Sequence, residues 1–354
     1  MSAPGWHSVH VHYQDEDDGL ILDAVRPLFL RLSGRVEAAH HLRHWRRGPH
    51  LRLNVRAGAG VFDEVVRPAV DDVIGGYLRA HPSTRRLDPA SHLDEHRRLA
   101  ELEDERGPLE PWRPDNSIHV EPYDDRAHVL GNREMADLFA AFHTDTTDLS
   151  FRMTERCPAG VRRLAAAFDL VVATAHTLAP DGTARGFVSL RSHAEGFLSL
   201  DAHGETRRSA WEEHRRGHAP TLAERLRAVT GTLDGGPETM PFVREWAWAL
   251  DRHRARAAEL MAAGTFTMPS GTAGEEARLS AVSPFHRDLF ASEAWSATRS
   301  SPAFALNRLL LNSTYLYLTR LGITPAERFL LCHLAAGIVE DRNGPSASAP
   351  LHER

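Results

Sequence analysis

The chain has no lysine: all 42 residues counted as Lys or Arg are arginine. That absence removes a P-loop lysine, a Schiff-base lysine and a lysine general base together. Cysteine is nearly as scarce. Cys157 and Cys332 are far apart and outside any Cys-x-x-Cys spacing, so neither a disulfide framework nor a cysteine zinc site is indicated. The first twenty residues hold the acidic run Asp15, Glu16, Asp17 and Asp18 and lack the apolar core of a signal peptide. The longest apolar stretch, 164–179, is broken by Asp169, Thr174, His176 and Thr177 and is too short to span a bilayer. A cytoplasmic location without a membrane span is expected. A net charge of −6 argues against general nucleic-acid binding.

What is present is the make-up of an ordinary globular protein, 42% hydrophobic and 25% charged over 354 residues. Residues 6–13 alternate like a strand, and 18–32 have helical spacing. Short alternating runs at 39–45 and 50–55 surround Arg46-Arg47-Gly48-Pro49 and predict a hairpin with a basic turn. A helix is expected at 62–80, with Pro68 tolerated only as a kink. Residues 81–114, punctuated by prolines, read as a loop around one short helix, and 117–123 as another strand. Further helices are expected at 132–142, 158–178, 209–230, 241–263, 302–321 and 325–340. Two apolar runs, 187–190 and 197–200, flank Arg191 to Gly196 and place His193 beside a strand.

The pattern is α+β: an N-terminal, strand-rich mixed or antiparallel sheet packed against a largely helical C-terminal half. A single catalytic domain is expected over 1–342, strand-rich in 1–130 and helix-rich in 131–342, with a disordered tail at 343–354.

Histidine pairs at helical spacing, His92 with His96 and His214 with His218, lack the glutamate of a His-Glu-x-x-His site and an evident third ligand. They read as solvated helix faces, and no metal is expected. In 46–56, alternation puts His50, Arg52, Asn54 and Arg56 on one strand face and Leu51, Leu53 and Val55 on the other. On pattern alone, the polar face is a solvated outer face. The helix at 302–321 has a Ser301 N-cap, Pro302 at its first position and Gly322 just past its end. Leucines cover most of its circumference, yet Arg308, Asn312, Tyr315 and Thr319 form a polar stripe, with Ser313 and Tyr317 as a second pair. Buried polar groups need partners, so the stripe faces either a pocket or a structural network.

Taken in order, Trp6 with its alternating histidines, RRGPHLRLNVR at 46–56, SLRSHAEGFL at 189–198 and TRLGITPAE at 319–327 resemble the C-terminal domain of lantibiotic dehydratases. The resemblance covers nearly the whole chain. In that family it implies a lyase that removes glutamate from glutamylated Ser or Thr, with arginines on the glutamyl group and a histidine just before Asn-Arg-Leu. This chain has Thr319-Arg320-Leu321 there, and Tyr315 to Leu318 upstream include no histidine. Asn54 stands where a further arginine is typical, and the tyrosine-plus-basic stretch at 123–131 carries acids instead.

These departures resemble the sister activity, thiopeptide pyridine synthesis, a formal 4+2 aza-cycloaddition of two dehydroalanines with loss of water and leader peptide. The resemblance implies a dehydrated, azole-containing precursor peptide and its leader as partners, transient contact with other pathway enzymes, and no cofactor. Tyrosine remains a proton donor at neutral pH, so Tyr315, Ser313 and Tyr317 are the catalytic candidates, with His193 as a proton shuttle. Arg52, His50, Asn312 and Arg191 are the candidates for holding the peptide. A stand-alone glutamate eliminase and a non-catalytic peptide-binding scaffold are the alternative readings.

Overall fold

The structure is a computed structural model that describes residues 4–178, 185–268 and 273–343. The chain divides into two compact units, 1–156 and 157–354.

In the first unit, strands β1 (Gly5–His12), β2 (Ala38–His44), β3 (His50–Ala57) and β4 (Ser117–Glu121) form an antiparallel sheet in the order β2-β3-β1-β4. Alternation decides what each face meets. Val9, Val11, Leu51, Leu53 and Val55 project to one side, are no more than 1% exposed, and join one apolar core with residues of helices α1 (18–32) and α2 (59–80). Each such side chain contributes about 1.5 to 3 kcal/mol by leaving water.

Both helices contain a π-helical turn, Ile21–Val25 and Phe62–Val66, ending just before Arg26-Pro27 and Arg67-Pro68. A proline inside a helix removes one N–H and crowds the carbonyl four residues back. The widened turn makes room for the ring, so Pro68 is absorbed by a change of winding.

The stretch 81–114 is more ordered than a loop around a short helix. It contains α3 (Pro89–Glu103), 15 residues long, capped by the Asp88 carboxylate and ended by Asp104 in the left-handed region. Helices α4 (Ala127–Leu130), α5 (Arg133–Asp145) and α6 (Thr147–Arg156) complete the unit. Helix α6 has weak helical propensity, and its place is set by packing, with Phe151 against Phe29 and stacked on His41.

In the second unit, α7 (Val161–Leu178) is central and packs against most of its neighbours. Pro158 precedes this helix and does not lie in its first turn. The region 187–200, read as strand-flanked, is one helix, α8 (Arg185–Leu200). Phe187, Leu190, Ala194 and Leu198 recur at steps of three and four and are all buried, which is the helical period. Gly186 is required where α8 meets α7, because a Cβ there would lie 1.9 Å from the Ala175 carbonyl oxygen.

Helices α9 (Gly204–Leu233), α10 (Val243–Ala262), α11 (Ala273–Val282), α12 (Pro284–Ala291), α13 (Glu293–Arg299), α14 (Pro302–Arg320) and α15 (Pro325–Asn343) follow. The ends of α14 and the start of α15 are those marked in the sequence. Ser301 Oγ accepts from the Phe304 N–H, Gly322 has φ +83°, and Thr324 and Glu327 cap one another reciprocally. Asn343 is still helical, and 344–354 lies outside the described residues.

Candidate functional site

Helix α14 sends its hydroxyls in different directions. Tyr315 lies between α8 and α15, with its Oη 2.6 Å from His193 Nδ1 and 3.3 Å from Cys332 Sγ. Arg328 lies over the tyrosine ring, its guanidinium carbon 4.8 Å from the centroid. Burial raises the Tyr315 phenol well above its usual range, the Cys332 thiol beside it adding to the rise. Burial also pushes Cys332 up to about 11. His193 moves the other way, lowered to about 4 by burial and by the positive charges of Arg328 and Arg308 and the His286 ring nearby. At neutral pH the cluster is therefore a protonated phenol, a protonated thiol and a neutral imidazole.

Ser313 and Tyr317 lie on the opposite side of α14, because steps of two residues turn a helix by about 200°. Ser313 Oγ is 2.9 Å from His253 Nε2 and also donates to the Leu309 carbonyl, while the Tyr317 ring packs on Trp246 at 4.7 Å. The geometry thus joins Tyr315 with His193 and separates them from Ser313 and Tyr317. Asn312 is half-buried, Thr319 is exposed, and Thr319 Oγ1 donates to the Tyr315 carbonyl. His193 stands in mid-helix, not beside a strand.

A second relay escaped the reading of the sequence. Ser283 Oγ is 2.8 Å from His286 Nδ1, and His286 Nε2 is 3.0 Å from Ser192 Oγ, the residue next to His193. Burial lowers the His286 pKa, so this imidazole is also neutral at pH 7. The two hydrogen-bonded chains thus end on adjacent residues of α8. Val282 and Pro284, either side of Ser283, line an open cavity of about 280 Å³ with Leu198 and Arg208. No local spacing signals this relay, since Ser192 and His286 are 94 positions apart.

Arg191, expected on the peptide, is engaged within the unit. Its guanidinium forms a two-point pair with Glu340, contacts His333 Nδ1 at 3.2 Å and lies 3.5 Å from Glu195. Its position ties α8 to α15.

Arg52 and His50 belong to the first unit. The sheet face they occupy is buried, not solvated as expected: His10, His12, His50, Arg52 and Asn54 are 3–7% exposed. The segment after α3 lies over it. His50 stacks between His10 and His12 at 4.6 Å from each, and its Nδ1 bonds the Gly48 carbonyl oxygen at 2.9 Å. Burial, with Arg52 and other cationic or imidazole neighbours, lowers His10 to about 2. Burial, with the His119 ring and Arg113, lowers His12 to about 3. His44 and His50 are also held well below the normal range, chiefly by burial. Ser8 donates to Asn54, whose amide bonds His40 at 3.0 Å.

His96, read as part of a solvated helix face, is only 6% exposed and lies between Trp45 and Trp112. Among the described residues no three His, Cys, Asp or Glu side chains converge as a metal site would require. No helix among them is long and apolar enough to cross a membrane.

The lantibiotic biosynthesis dehydratase C-terminal family model matches residues 6–339. The pyridine synthase TbtD from thiomuracin biosynthesis is 40% identical, with a TM-score of 0.78 covering 95% of this chain and 98% of that one. TsrL, 21% identical, shares the fold with a TM-score of 0.71 over 99% of this chain and 100% of its own. Among curated proteins, none matches the chain.

Proposed function

The chain belongs to the lantibiotic biosynthesis dehydratase C-terminal family, and on that premise we propose that it is a pyridine synthase of thiopeptide biosynthesis. Its substrate is a ribosomally made precursor peptide carrying two dehydroalanines. The observation that carries this reading is the 40% identity to a pyridine synthase, spread over 95% of the chain. In the proposed reaction, one dehydroalanine with its neighbouring amide, in the imidic form, acts as a 2-azadiene. It adds across the second alkene, forming two C–C bonds, one from the dehydroalanine methylene carbon and one from the imidic carbon. Loss of water and then of the leader peptide, as its amide, makes the ring aromatic.

Such chemistry asks for alkenes held in contact and for neutral groups that move protons. Holding two reacting groups together can supply about 7 to 11 kcal/mol. The Tyr315 hydroxyl, kept protonated by burial, is assigned to hold the imidic oxygen and to protonate the departing hydroxyl. His193, neutral at pH 7 and 2.6 Å from that hydroxyl, returns the proton. The Ser283–His286–Ser192 chain is assigned to position the peptide amide beside them. Arg52, His50 and Asn312 stay as candidates for holding peptide carbonyls.

The test is incubation of the purified chain with the dehydrated, azole-containing precursor, read by mass spectrometry. Cyclisation releases the leader as an amide and leaves a macrocycle. A glutamylated precursor that instead loses glutamate would establish an eliminase, and unchanged masses in both incubations would leave a binding scaffold.

A further inference from the structure

The strongest unexplained feature of the first unit is a carboxylate enclosed by arginines. Glu105 follows the left-handed residue that ends α3, and its side chain is 1% exposed. One oxygen lies 3.0 Å from Arg46 Nε and 4.0 Å from Arg52 Nη2. The other lies 2.5 Å from Arg126 Nη1 and 3.5 Å from His44 Nε2. These cations come from the hairpin turn, from β3 and from the segment after β4, so a single carboxylate gathers distant parts of the unit. His44 is held neutral by burial and by Arg52, Arg46 and Arg126, so it adds no charge.

The enclosure is not fully matched by its occupant. Arg52 is 6% exposed, yet its Nε and Nη2 have no hydrogen-bond partner among the described residues, and neither do His50 Nε2 and His12 Nδ1 on the same sheet face. Buried donors are normally paired, so the two unpaired Arg52 N–H positions leave capacity for a further acceptor, whereas His50 Nε2, whose ring donates through Nδ1 to Gly48, is itself an acceptor. The neighbouring chain is fastened in the same way. Arg46 Nη1 donates to the Arg106 carbonyl, Arg47 Nε to the Pro111 carbonyl at 3.0 Å, and Trp45 Nε1 to Glu103 at 3.2 Å.

We propose that Arg46, Arg52 and Arg126 form a carboxylate receptor on the polar face of the sheet, which the chain fills with its own Glu105. The side chain acts as the latch of a strap, residues 104–131, closed over the histidine row. With the latch removed, the receptor takes a free carboxylate. This inference does not rest on the cyclase reading, and its test involves no turnover.

The experiment compares the full-length chain with Glu105→Ala in acetate and in chloride at equal ionic strength. Removing one partner of a buried charge cluster should lower the melting temperature by about 5 to 10 °C and speed tryptic cleavage after exposed Arg106. Acetate should reverse both effects saturably, chloride should not, and the unsubstituted chain should respond to neither. Glu105→Gln, which keeps the size and loses the charge, should fold yet show the same acetate response more weakly. The proposal is overturned if Glu105→Ala melts like the parent, or if acetate protects it no better than chloride. It is equally overturned if Glu105→Ala is unfolded in every salt and the folded Glu105→Gln ignores acetate.

Discussion

Replacing Tyr315 by Phe removes one oxygen atom and nothing else from the centre of the second unit. The ring keeps its packing against Phe329 and Arg328, so no cavity of consequence opens. What is lost is the 2.6 Å bond to His193 Nδ1 and the weaker 3.3 Å contact with Cys332. Leaving a buried imidazole nitrogen without that partner costs about 1 to 3 kcal/mol of stability. For a chain of this size that is a fall of about 1 to 4 °C in melting temperature. If the hydroxyl transfers a proton in the reaction, the cyclisation rate should drop by about 10²- to 10⁴-fold, well beyond what such a loss of stability produces at 25 °C. The assay is single-turnover formation of the leader amide by mass spectrometry, with melting and leader affinity measured on the same preparation. A Phe variant that melts early but turns over at the parent rate would make Tyr315 a structural residue and refute the site.

Ser313→Ala should leave the cyclisation rate within about twofold while lowering stability by about 1 to 2 kcal/mol, measured by urea unfolding, because its hydroxyl faces His253 and not Tyr315. A rate loss like that of Tyr315→Phe would show that both sides of α14 meet the substrate. Arg191→Ala should lower stability by about 1 to 3 kcal/mol through the unpaired Glu340, without raising KM for the precursor. A KM increase at unchanged stability would return Arg191 to the peptide site. Stability should fall on acidification below pH 6.5. His10, His12, His44 and His50 have folded pKa values below the ordinary 6.5, so the unfolded chain binds more protons there. The stabilisation is intact above pH 6.5 and is lost as pH drops toward the folded values of about 2 to 3 for His10 and His12. Four independent histidines set an upper limit of about 5 kcal/mol lost between pH 7 and 5.5, read from denaturant midpoints across that range. A flat profile would mean that the histidine row is open to water.

Local periodicity determined the α+β class, the strand-rich start and the boundaries of α14 and α15. Those features rest on chemistry within a few residues: Ser301 ahead of Pro302, Gly322 in the left-handed region, and alternation along HLRLNV. The sequence also singled out Tyr315, on the polar stripe of a leucine-rich helix, and His193, in a polar stretch between two apolar runs. Only the tertiary structure decided which hydroxyl meets which histidine, because Tyr315 and His193 are 122 positions apart and the facing of a helix with leucines around most of its circumference is set by its neighbours. The same applies to the buried polar face of β3. Alternation shows that His50, Arg52 and Asn54 share a face but carries no information about what covers it. Residues 104–131 make that choice by bringing Glu105, a buried negative charge, to arginines that would otherwise have stayed in water.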